Sequence, residues 1–235
     1  MGKRWMLLSE LIILGILSLG QADQRLFVWT YEYQTMPAGE AELESYFTLI
    51  LPDDSSEIAS IEHQLELEVG MNDRFDMGIY HVLEQQPDDA LRYIGFKLRA
   101  RYRFGEKGKY LFDPIAYVEY LGKPRISEPT LEFKLILARD LGGFNIALNP
   151  VLEMKREHDE WELEPEYAVG LGYQLGDLLD VGLEAKGSAD VHYLGPVLAH
   201  GTERFWVTLG SAFSLGEVPE GKPHVQIRML LGISL

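Results

Sequence analysis

The amino-acid sequence predicts an all-β fold, a single transmembrane antiparallel β-barrel of about 12 strands. Three observations carry this prediction. Apolar and polar residues alternate through successive stretches of about ten residues, as in strands that have one face in an apolar medium. The connections between these stretches fall into two alternating types, and aromatic residues recur near one end of the predicted hairpins.

Composition limits the alternatives. The chain has 235 residues, no cysteine, 21 Lys plus Arg and 37 Asp plus Glu, for a net charge of −16. The absence of cysteine excludes disulfides, Cys-based zinc sites, a Cys nucleophile and an N-terminal lipoprotein anchor. The acidic balance argues against a nucleic-acid partner, because phosphate binding needs a basic face.

The first 39 residues are predicted to lie outside the strands of the barrel. Residues 1–22 have the pattern of a signal peptide, with Lys3 and Arg4 before the apolar stretch Leu11–Leu19 and small residues around Ala22. Residues 23–39 carry alternating aromatic residues and are expected to form a periplasmic or lumenal segment, with an extra strand as the alternative. The barrel itself is assigned to residues 40–235.

Each predicted strand has an apolar row at every second residue and ends at Gly, Pro, Asn, Asp or charged residues. In chain order, with examples of the row, the strands are Ala41–Leu51 (Leu43, Phe47, Leu49), Ile61–Met71 (Leu65, Leu67, Val69), Phe75–Leu83, Arg92–Phe104 (Phe96, Leu98, Ala100), Leu111–Leu121, Thr130–Arg139 (Leu131, Phe133, Leu135), Phe144–Lys155 (Ile146, Leu148), Glu162–Gln174 (Tyr167, Val169, Leu171), Asp180–Ser188, His192–His200, Phe205–Leu215 and His224–Leu235.

The last strand, His224–Leu235, orients the barrel. It alternates with one lapse at Leu230 and ends on a bulky apolar residue, as do the closing strands that the outer-membrane assembly machinery recognises. The usual final residue is aromatic, and here it is Leu235. We expect outer-membrane lipid around the barrel and contact of residues 224–235 with the assembly machinery.

With the C-terminus in the periplasm, the connections sort into short inner turns and longer, more charged outer loops. The inner turns lie at Asn72, Glu106, Asp140, Gly176 and Gly201, and the outer loops at Asp53, Pro87, Pro124, His158, Ala189 and Pro219. An interfacial aromatic girdle is predicted on the outer face near the inner turns, made of Phe75, Tyr102, Phe104, Phe112, Phe144, Tyr173 and Phe205.

Proline is the main conflict with a closed barrel, because it removes a ladder hydrogen bond. Pro114, Pro150, Pro165 and Pro196 fall within predicted strands, where we expect β-bulges or strand ends. A soluble β-sandwich or lipocalin-like barrel is the competing fold, since its strands also alternate.

The inward rows carry the candidate functional residues. Two oppositely charged rows are separated by one strand, and they either form a charge-selective pore or pair to fill the lumen. These residues are Glu62, Glu66, Glu68, Asp76, Lys97, Arg99, Arg101 and Arg103. A second inward cluster could bind a cation or polar solute, or be polar packing. It comprises Lys134, Asn149, Glu153, Glu164 and Glu166, and Arg228 of the closing strand adds to the predicted pore lining.

No enzyme signature accompanies these rows. The His-x-Ser-Asn-Gly run of outer-membrane phospholipases is absent, and His158-Asp159 is an isolated pair in a loop. The other histidines lack a metal-binding spacing, and Gly170-x-Gly172 has no helix after it, so we expect no metal and no cofactor.

The chain resembles Gram-negative outer-membrane barrels that are described as transporter-like or tied to meta-pathway phenol degradation. The resemblance rests on Pro37-x-Gly39-Glu40-x-Glu42-Leu43-Glu44, on the hairpin Leu65–Tyr80, on Asp113-Pro114 and on Leu194-Gly195-Pro196. It implies the fold and a transport role. The expected function is therefore a narrow passive channel for a small solute in the outer membrane. A non-conducting barrel with a structural or surface role is the alternative, and an outer-membrane hydrolase comes third.

Overall fold

The computed structural model describes residues 24–52, 60–122, 129–157, 160–176, 179–202 and 204–235. The predicted signal peptide, residues 1–22, and the pair His158-Asp159 lie outside these ranges. The described residues form twelve strands: β1 Ala41–Leu51, β2 Ser60–Asn72, β3 Phe75–Gln85, β4 Arg92–Arg103, β5 Asp113–Gly122, β6 Thr130–Leu141, β7 Phe144–Glu157, β8 Glu160–Leu175, β9 Leu179–Gly187, β10 His192–Gly201, β11 Phe205–Leu215 and β12 Val225–Ser234.

The strands form one closed antiparallel barrel. Every strand pairs with its sequence neighbours, and β1 closes the ring against β12 from Glu42 opposite Ser234 to Leu51 opposite Val225. Closure leaves no unpaired sheet edge, so the backbone donors and acceptors of the strands bond to one another. The all-β barrel predicted from the alternation is confirmed. Among the described residues, no helix is long and apolar enough to cross a membrane.

The two faces of each strand have reversed polarity compared with a soluble barrel. In β1, Glu42 and Glu44 are 0% and 1% exposed, whereas Leu43 and Phe47 are 43% and 39% exposed. The same reversal recurs around the ring, with leucines outside and charged or tyrosine side chains inside. A sandwich or lipocalin-like barrel would bury the apolar row instead, so this arrangement excludes the competing fold.

The predicted girdle lies where the aromatic pattern placed it. Five of its seven predicted residues, Tyr102, Phe104, Phe144, Tyr173 and Phe205, are exposed on the outer face near the end that carries the inner turns. Phe112, just before β5, is also exposed, and Phe75 is half-buried. Two pairs of rings are in contact, Tyr102 with Phe104 at 5.3 Å and Phe144 with Tyr173 at 4.7 Å between centroids. Aromatic side chains prefer the interface between lipid tails and water, so this ring marks one boundary of the apolar belt.

Two connections differ from the prediction. The inner turn at Glu106 is not compact, because residues 104–112 separate β4 from β5. The outer connection at His158 is short, because β7 and β8 continue as a ladder out to Glu157 opposite Glu160. Alternation in residues 155–162 is too weak to separate a loop from a protruding hairpin, since both faces of the hairpin are charged there.

The four strand prolines do not cause the expected bulges. The register keeps its offset across Pro150 and across Pro196, although the pairing is interrupted beside each on one neighbouring strand, and Pro165 stays paired with Leu152. Pro114 is the second residue of β5 and so fits the strand-end expectation. The register shifts of the described strands lie elsewhere, at Gly70–Asn72 in β2 and Val82–Leu83 in β3.

Candidate functional site

The lumen contains a segment that precedes β1. Residues 24–36, called here the lumenal loop, enter at the end of the barrel with the inner turns, where Gln24 Nε2 donates to Asp180 Oδ2 at 3.2 Å. The loop rises to the middle of the barrel and returns to the same end, where the Tyr33 hydroxyl donates to the Gly105 carbonyl at 2.7 Å. Of the placements left open by the sequence, the structure shows the lumenal one.

In the described part of the chain, four inward side chains of the barrel bind the backbone of the loop, and one of them, Thr208 of β11, donates its hydroxyl to the Arg25 carbonyl. The Glu184 carboxylate accepts the backbone N–H groups of Val28, Trp29 and Thr30 at 2.9, 3.0 and 2.8 Å. A single carboxylate thereby satisfies three successive buried donors, which have no strand partner.

Asn149 and Asp76 fix the returning half of the loop. Asn149 accepts the Tyr31 N–H at 2.5 Å and donates its own amide to the Tyr31 carbonyl at 3.0 Å, as a neighbouring strand would. Asp76 accepts the Met36 N–H at 3.0 Å. The loop is therefore attached to β3, β7, β9 and β11, on separate sides of the lumen.

Inward glycines make room for the apolar side chains of the loop. A Cβ atom added to Gly170 would lie 2.6 Å from the Phe27 ring, and one added to Gly172 would overlap Leu26. On β11, a Cβ atom at Gly210 would lie 2.5 Å from Val28 Cγ2. Phe27 and Val28 are fully buried as a result. Gly170 and Gly172 thus form a groove that receives the Leu26 and Phe27 side chains. In the sequence, this groove is visible only as the pair Gly170-x-Gly172.

Between the middle of the barrel and the end with the inner turns, oppositely charged side chains of β2, β3 and β4 form a buried network. Arg99 Nη2 lies 2.8 Å from Glu66 Oε1 and 2.6 Å from Glu68 Oε2. Arg101 Nη2 lies 2.8 Å from Asp76 Oδ2 and also contacts Glu68. Each of these five side chains is at most 3% exposed. The two charged rows pair to fill this half of the lumen.

The loop takes part in this network through Arg25. Its guanidinium donates to the Tyr46 hydroxyl at 3.2 Å and lies 4.2 Å from the centre of the Tyr31 ring. The Tyr46 hydroxyl in turn lies within hydrogen-bond distance of Glu44 and Glu66, at 2.5 and 2.7 Å. Barrel and loop thus share one continuous set of polar contacts.

The other half of the lumen holds a cavity of about 380 Å³, called here the vestibule. Its walls are inward residues from the outer halves of the strands, including Glu62, Lys97 and Arg228. Its floor is the loop, through Arg25, Val28, Trp29 and Tyr31.

Five of the predicted pore residues line the vestibule. They are Glu62, Lys97, Lys134, Glu166 and Arg228. Two of the cations are already paired, since Lys97 Nζ lies 2.9 Å from Glu119 and Lys134 Nζ lies 2.9 Å from Glu132. The Arg228 guanidinium donates to Thr48 at 2.8 Å and lies 3.7 Å from Glu62.

The nine other predicted pore residues do not line the vestibule. Six of them are buried under or beside the loop: Glu66, Glu68, Asp76, Arg99, Arg101 and Asn149. Arg103 lies at the inner end, where it donates to the Asp73 carbonyl at 2.6 Å.

The predicted second cluster is divided. Glu153 and Glu164 lie at the outer end, 2.5 and 3.0 Å from Lys155 Nζ, far along the strand from Asn149 beneath the loop. Within the described ranges, two carboxylate trios approach within 4.8 Å: Glu44, Glu66, Glu68 and Glu153, Glu164, Glu166. Each trio is compensated by cations of the protein, Arg99 and Arg101 in the first and Lys155 in the second.

Three functional positions were not singled out from the sequence: Glu184, Lys186 and Trp29. The parity of β9 already places Glu184 and Lys186 in the lumen, two residues apart. Their importance depends on the lumenal loop that they contact. The sequence does not predict that contact, because the alternating aromatic residues of 27–33 equally fit a strand.

Comparison with known proteins supports the fold. No protein-family model matches the chain, and no curated protein matches it. Among solved structures, the COG4313 outer-membrane channel from Pseudomonas putida F1 is similar with a TM-score of 0.65 and 11% identity, over 89% of this chain and 100% of that one. The KdgM porin in complex with disordered oligogalacturonate gives a TM-score of 0.60 at 9% identity, over 83% and 99% of the two chains.

The NanC porin gives a TM-score of 0.58 at 9% identity, over 83% of this chain and 100% of that one. At such identities the likeness concerns the fold. Together with the apolar outer face and its aromatic girdle, these likenesses place the chain among the outer-membrane β-barrels.

Proposed function

We propose that the protein is a narrow outer-membrane channel for a small solute and that the lumenal loop closes it in the conformation described. The observation that carries the proposal is the floor of the vestibule. A polar cavity ends on a loop that is held by side-chain hydrogen bonds, and the strand ladder does not include it. Such contacts contribute about 1 kcal/mol each, or about 1.5–3 kcal/mol where one partner is charged. The loop can therefore leave the lumen, and open the channel, while the ring of twelve strands stays intact.

The structural likeness to the KdgM and NanC porins and to the COG4313 channel supports a transport role for this fold. The resemblance to barrels tied to phenol degradation adds aromatic solutes to the proposal, and this addition rests on that resemblance alone.

A non-enzymatic role is part of the same proposal. Two of the histidines face outwards beside aromatic rings, His63 next to Phe47 and His81 next to Tyr93, away from the vestibule.

A non-conducting barrel is the second candidate, and the buried Arg–Glu network beneath the vestibule favours it. A reversible crosslink between loop and wall separates the two. A Cβ atom at Gly210 lies 2.5 and 3.3 Å from the two Val28 methyl groups, so Val28→Cys with Gly210→Cys brings two thiols within reach of a disulfide. The chain has no other cysteine to interfere.

Single-channel conductance in planar bilayers is the measurement. We expect openings in the wild type and in the reduced double variant, and none in the oxidised variant. Val28→Cys alone, under the same oxidant and reductant, is the matched control and should conduct in both. Deletion of residues 24–36 should conduct permanently. A wild type and a deletion variant that are both silent would establish the non-conducting barrel, and equal conductance of oxidised and reduced protein would show that the loop is not the gate.

A further inference from the structure

The charge of the vestibule is opposite to that of the chain. The protein carries a net charge of −16, but the described residues around the cavity include more cations than carboxylates. The cations are Arg25, Lys97, Lys134, Lys186, Lys222 and Arg228, and the carboxylates are Glu62, Glu119, Glu132 and Glu166. A local positive excess inside an acidic protein indicates a place for an anion.

Among the described residues, three of these six cations have a carboxylate partner within 3.6 Å. Lys97 and Lys134 pair with Glu119 and Glu132 at 2.9 Å, and Lys222 lies 3.6 Å from Glu164. In the described part of the chain, no carboxylate lies within 4.0 Å of Lys186 or Arg25. The Lys186 amine donates to the Gln226 side-chain oxygen, and Arg25 donates to the Tyr46 hydroxyl. Arg228 donates to Thr48 at 2.8 Å, and its carboxylate contact with Glu62 is long at 3.7 Å.

Lys186 and Arg228 share an aromatic neighbour. Lys186 Nζ lies 4.6 Å from the centre of the Trp29 ring and 5.5 Å from that of Tyr193, and the Arg228 guanidinium lies 5.5 Å from the Trp29 ring. Trp29 also packs against an apolar patch of Val191 and Tyr193. Two cations without a close carboxylate partner, Lys186 and Arg228, therefore lie beside the flat apolar surface of Trp29 and Tyr193, at one side of the vestibule floor.

We propose that Lys186, Arg228 and Trp29 form a binding site for a small aromatic carboxylate. The carboxylate lies between the ammonium and guanidinium groups, and the ring of the solute packs against Trp29 and Tyr193. Charge-assisted bonds to two cations and a desolvated planar surface together select for an anion with a ring. As a statement about what the channel carries, this inference rests on the proposed function. As a statement about binding, it is independent of conduction.

Calorimetric titration of the folded full-length protein in detergent micelles tests the site, with empty micelles as the blank. Four probes separate the two requirements: benzoate has the charge and the ring, acetate lacks the ring, benzamide lacks the charge, and benzylammonium reverses it. We expect saturable binding of benzoate, at least about tenfold weaker binding of acetate, and no saturable binding of the other two.

Single substitutions locate the site. Lys186→Gln and Arg228→Gln should each weaken benzoate binding by about tenfold or more, because each removes a charge-assisted bond. Lys155→Gln is the matched control, since Lys155 is already paired with Glu153 and Glu164 at the outer end, and it should keep the wild-type affinity. The proposal fails if benzoate does not saturate, if benzamide binds as well as benzoate, or if both variants bind like the wild type.

Should a variant not fold, as judged by heat-modifiable migration, the four probes on the wild type decide the matter. Failure of the binding-site proposal can be distinguished from failure of the channel proposal. Conductance without benzoate tests the gate, and benzoate binding tests the site. A silent barrel that binds benzoate would overturn the first alone, and a conducting barrel that ignores benzoate would overturn the second alone.

Discussion

At the scale of single residues, Glu184 decides where the lumenal loop lies. Its two oxygens accept three successive backbone N–H groups between 2.8 and 3.0 Å, and its side chain is 2% exposed. Without this acceptor, three buried donors would lose their partner, and unsatisfied buried donors are costly. The sequence predicts that Glu184 faces inwards, because alternation fixes the parity of a strand. It does not predict the partner, because nothing local links Glu184 to a loop some 155 residues away.

Glu184→Gln should loosen the loop. The neutral amide keeps one acceptor oxygen and turns an NH₂ group towards the loop N–H donors, so at least one charge-assisted bond of about 1.5–3 kcal/mol is lost. We expect the amides of Val28, Trp29 and Thr30 to exchange hydrogen about tenfold faster or more, measured by hydrogen–deuterium exchange mass spectrometry. Glu153→Gln is the same chemical change at the outer end and should leave loop exchange unaltered. Equal loop exchange in both variants would contradict the role given to Glu184.

At the scale of the strands, alternation predicts most of the structure because the membrane and the lumen impose opposite demands on the two faces. Twelve strands were placed within a few residues of their observed bounds. The failures occur where that contrast fades. The hairpin of β7 and β8 continues past the apolar belt with charged residues on both faces. Residues 104–112 mix aromatic residues with Gly, Glu and Lys and form no strand, although the prediction began a strand at Leu111. The prolines stay inside regular strands because the neighbouring pairs hold the register without the missing bonds.

The lipid face predicts a depth-dependent cost for charge. Leu209 and Leu215 lie on the same outward row of β11, and Leu209 is mid-strand between Leu198 and Met229 while Leu215 ends the strand. Leu209→Arg should destabilise the barrel by about 2–4 kcal/mol, whereas Leu215→Arg should cost about 0–1 kcal/mol. Urea unfolding in lipid vesicles, followed by tryptophan fluorescence, measures both. Similar costs at the two positions would mean that this row does not cross an apolar layer.

At the scale of the whole molecule, the barrel is divided across its middle into a filled half and an open half. The filled half combines the Arg–carboxylate network with the apolar side chains of the loop, and the open half is the vestibule. Inward charge was predicted from the sequence, but two outcomes remained open, pairing or lining a pore. The structure shows pairing in the inner half, and charged side chains around the vestibule in the outer half. The division follows from the loop, whose depth in the lumen is set by contacts with β3, β7, β9 and β11 that no sequence period encodes.

Because half of the lumen is filled, the stability of the barrel depends on buried ion pairs. In a water-filled pore, the same charges could be removed at little cost in stability. Arg101 is 3% exposed and pairs with Glu68 and Asp76, whereas Arg103, on the same strand, lies at the inner end and donates to the Asp73 carbonyl. Arg101→Gln leaves two buried carboxylates short of a cation, a change that costs about 3–5 kcal/mol. Arg103→Gln removes one hydrogen bond near water and a cation–π contact with the Tyr33 ring at 5.7 Å, and it should cost about 1 kcal/mol.

Heat-modifiable electrophoresis measures this difference as the temperature at which the folded band disappears. At about 2–4 °C per kcal/mol for a chain of this size, Arg101→Gln should lower the midpoint by roughly 6–20 °C, and Arg103→Gln by no more than about 4 °C. If Arg101 instead lined a water-filled pore, its carboxylate partners would be hydrated, and both variants would melt close to the wild type. A wide gap between two identical substitutions, two residues apart on β4, is therefore the result expected if the half of the lumen around Arg101 is filled and excludes water, while Arg103 lies at its water-exposed inner end.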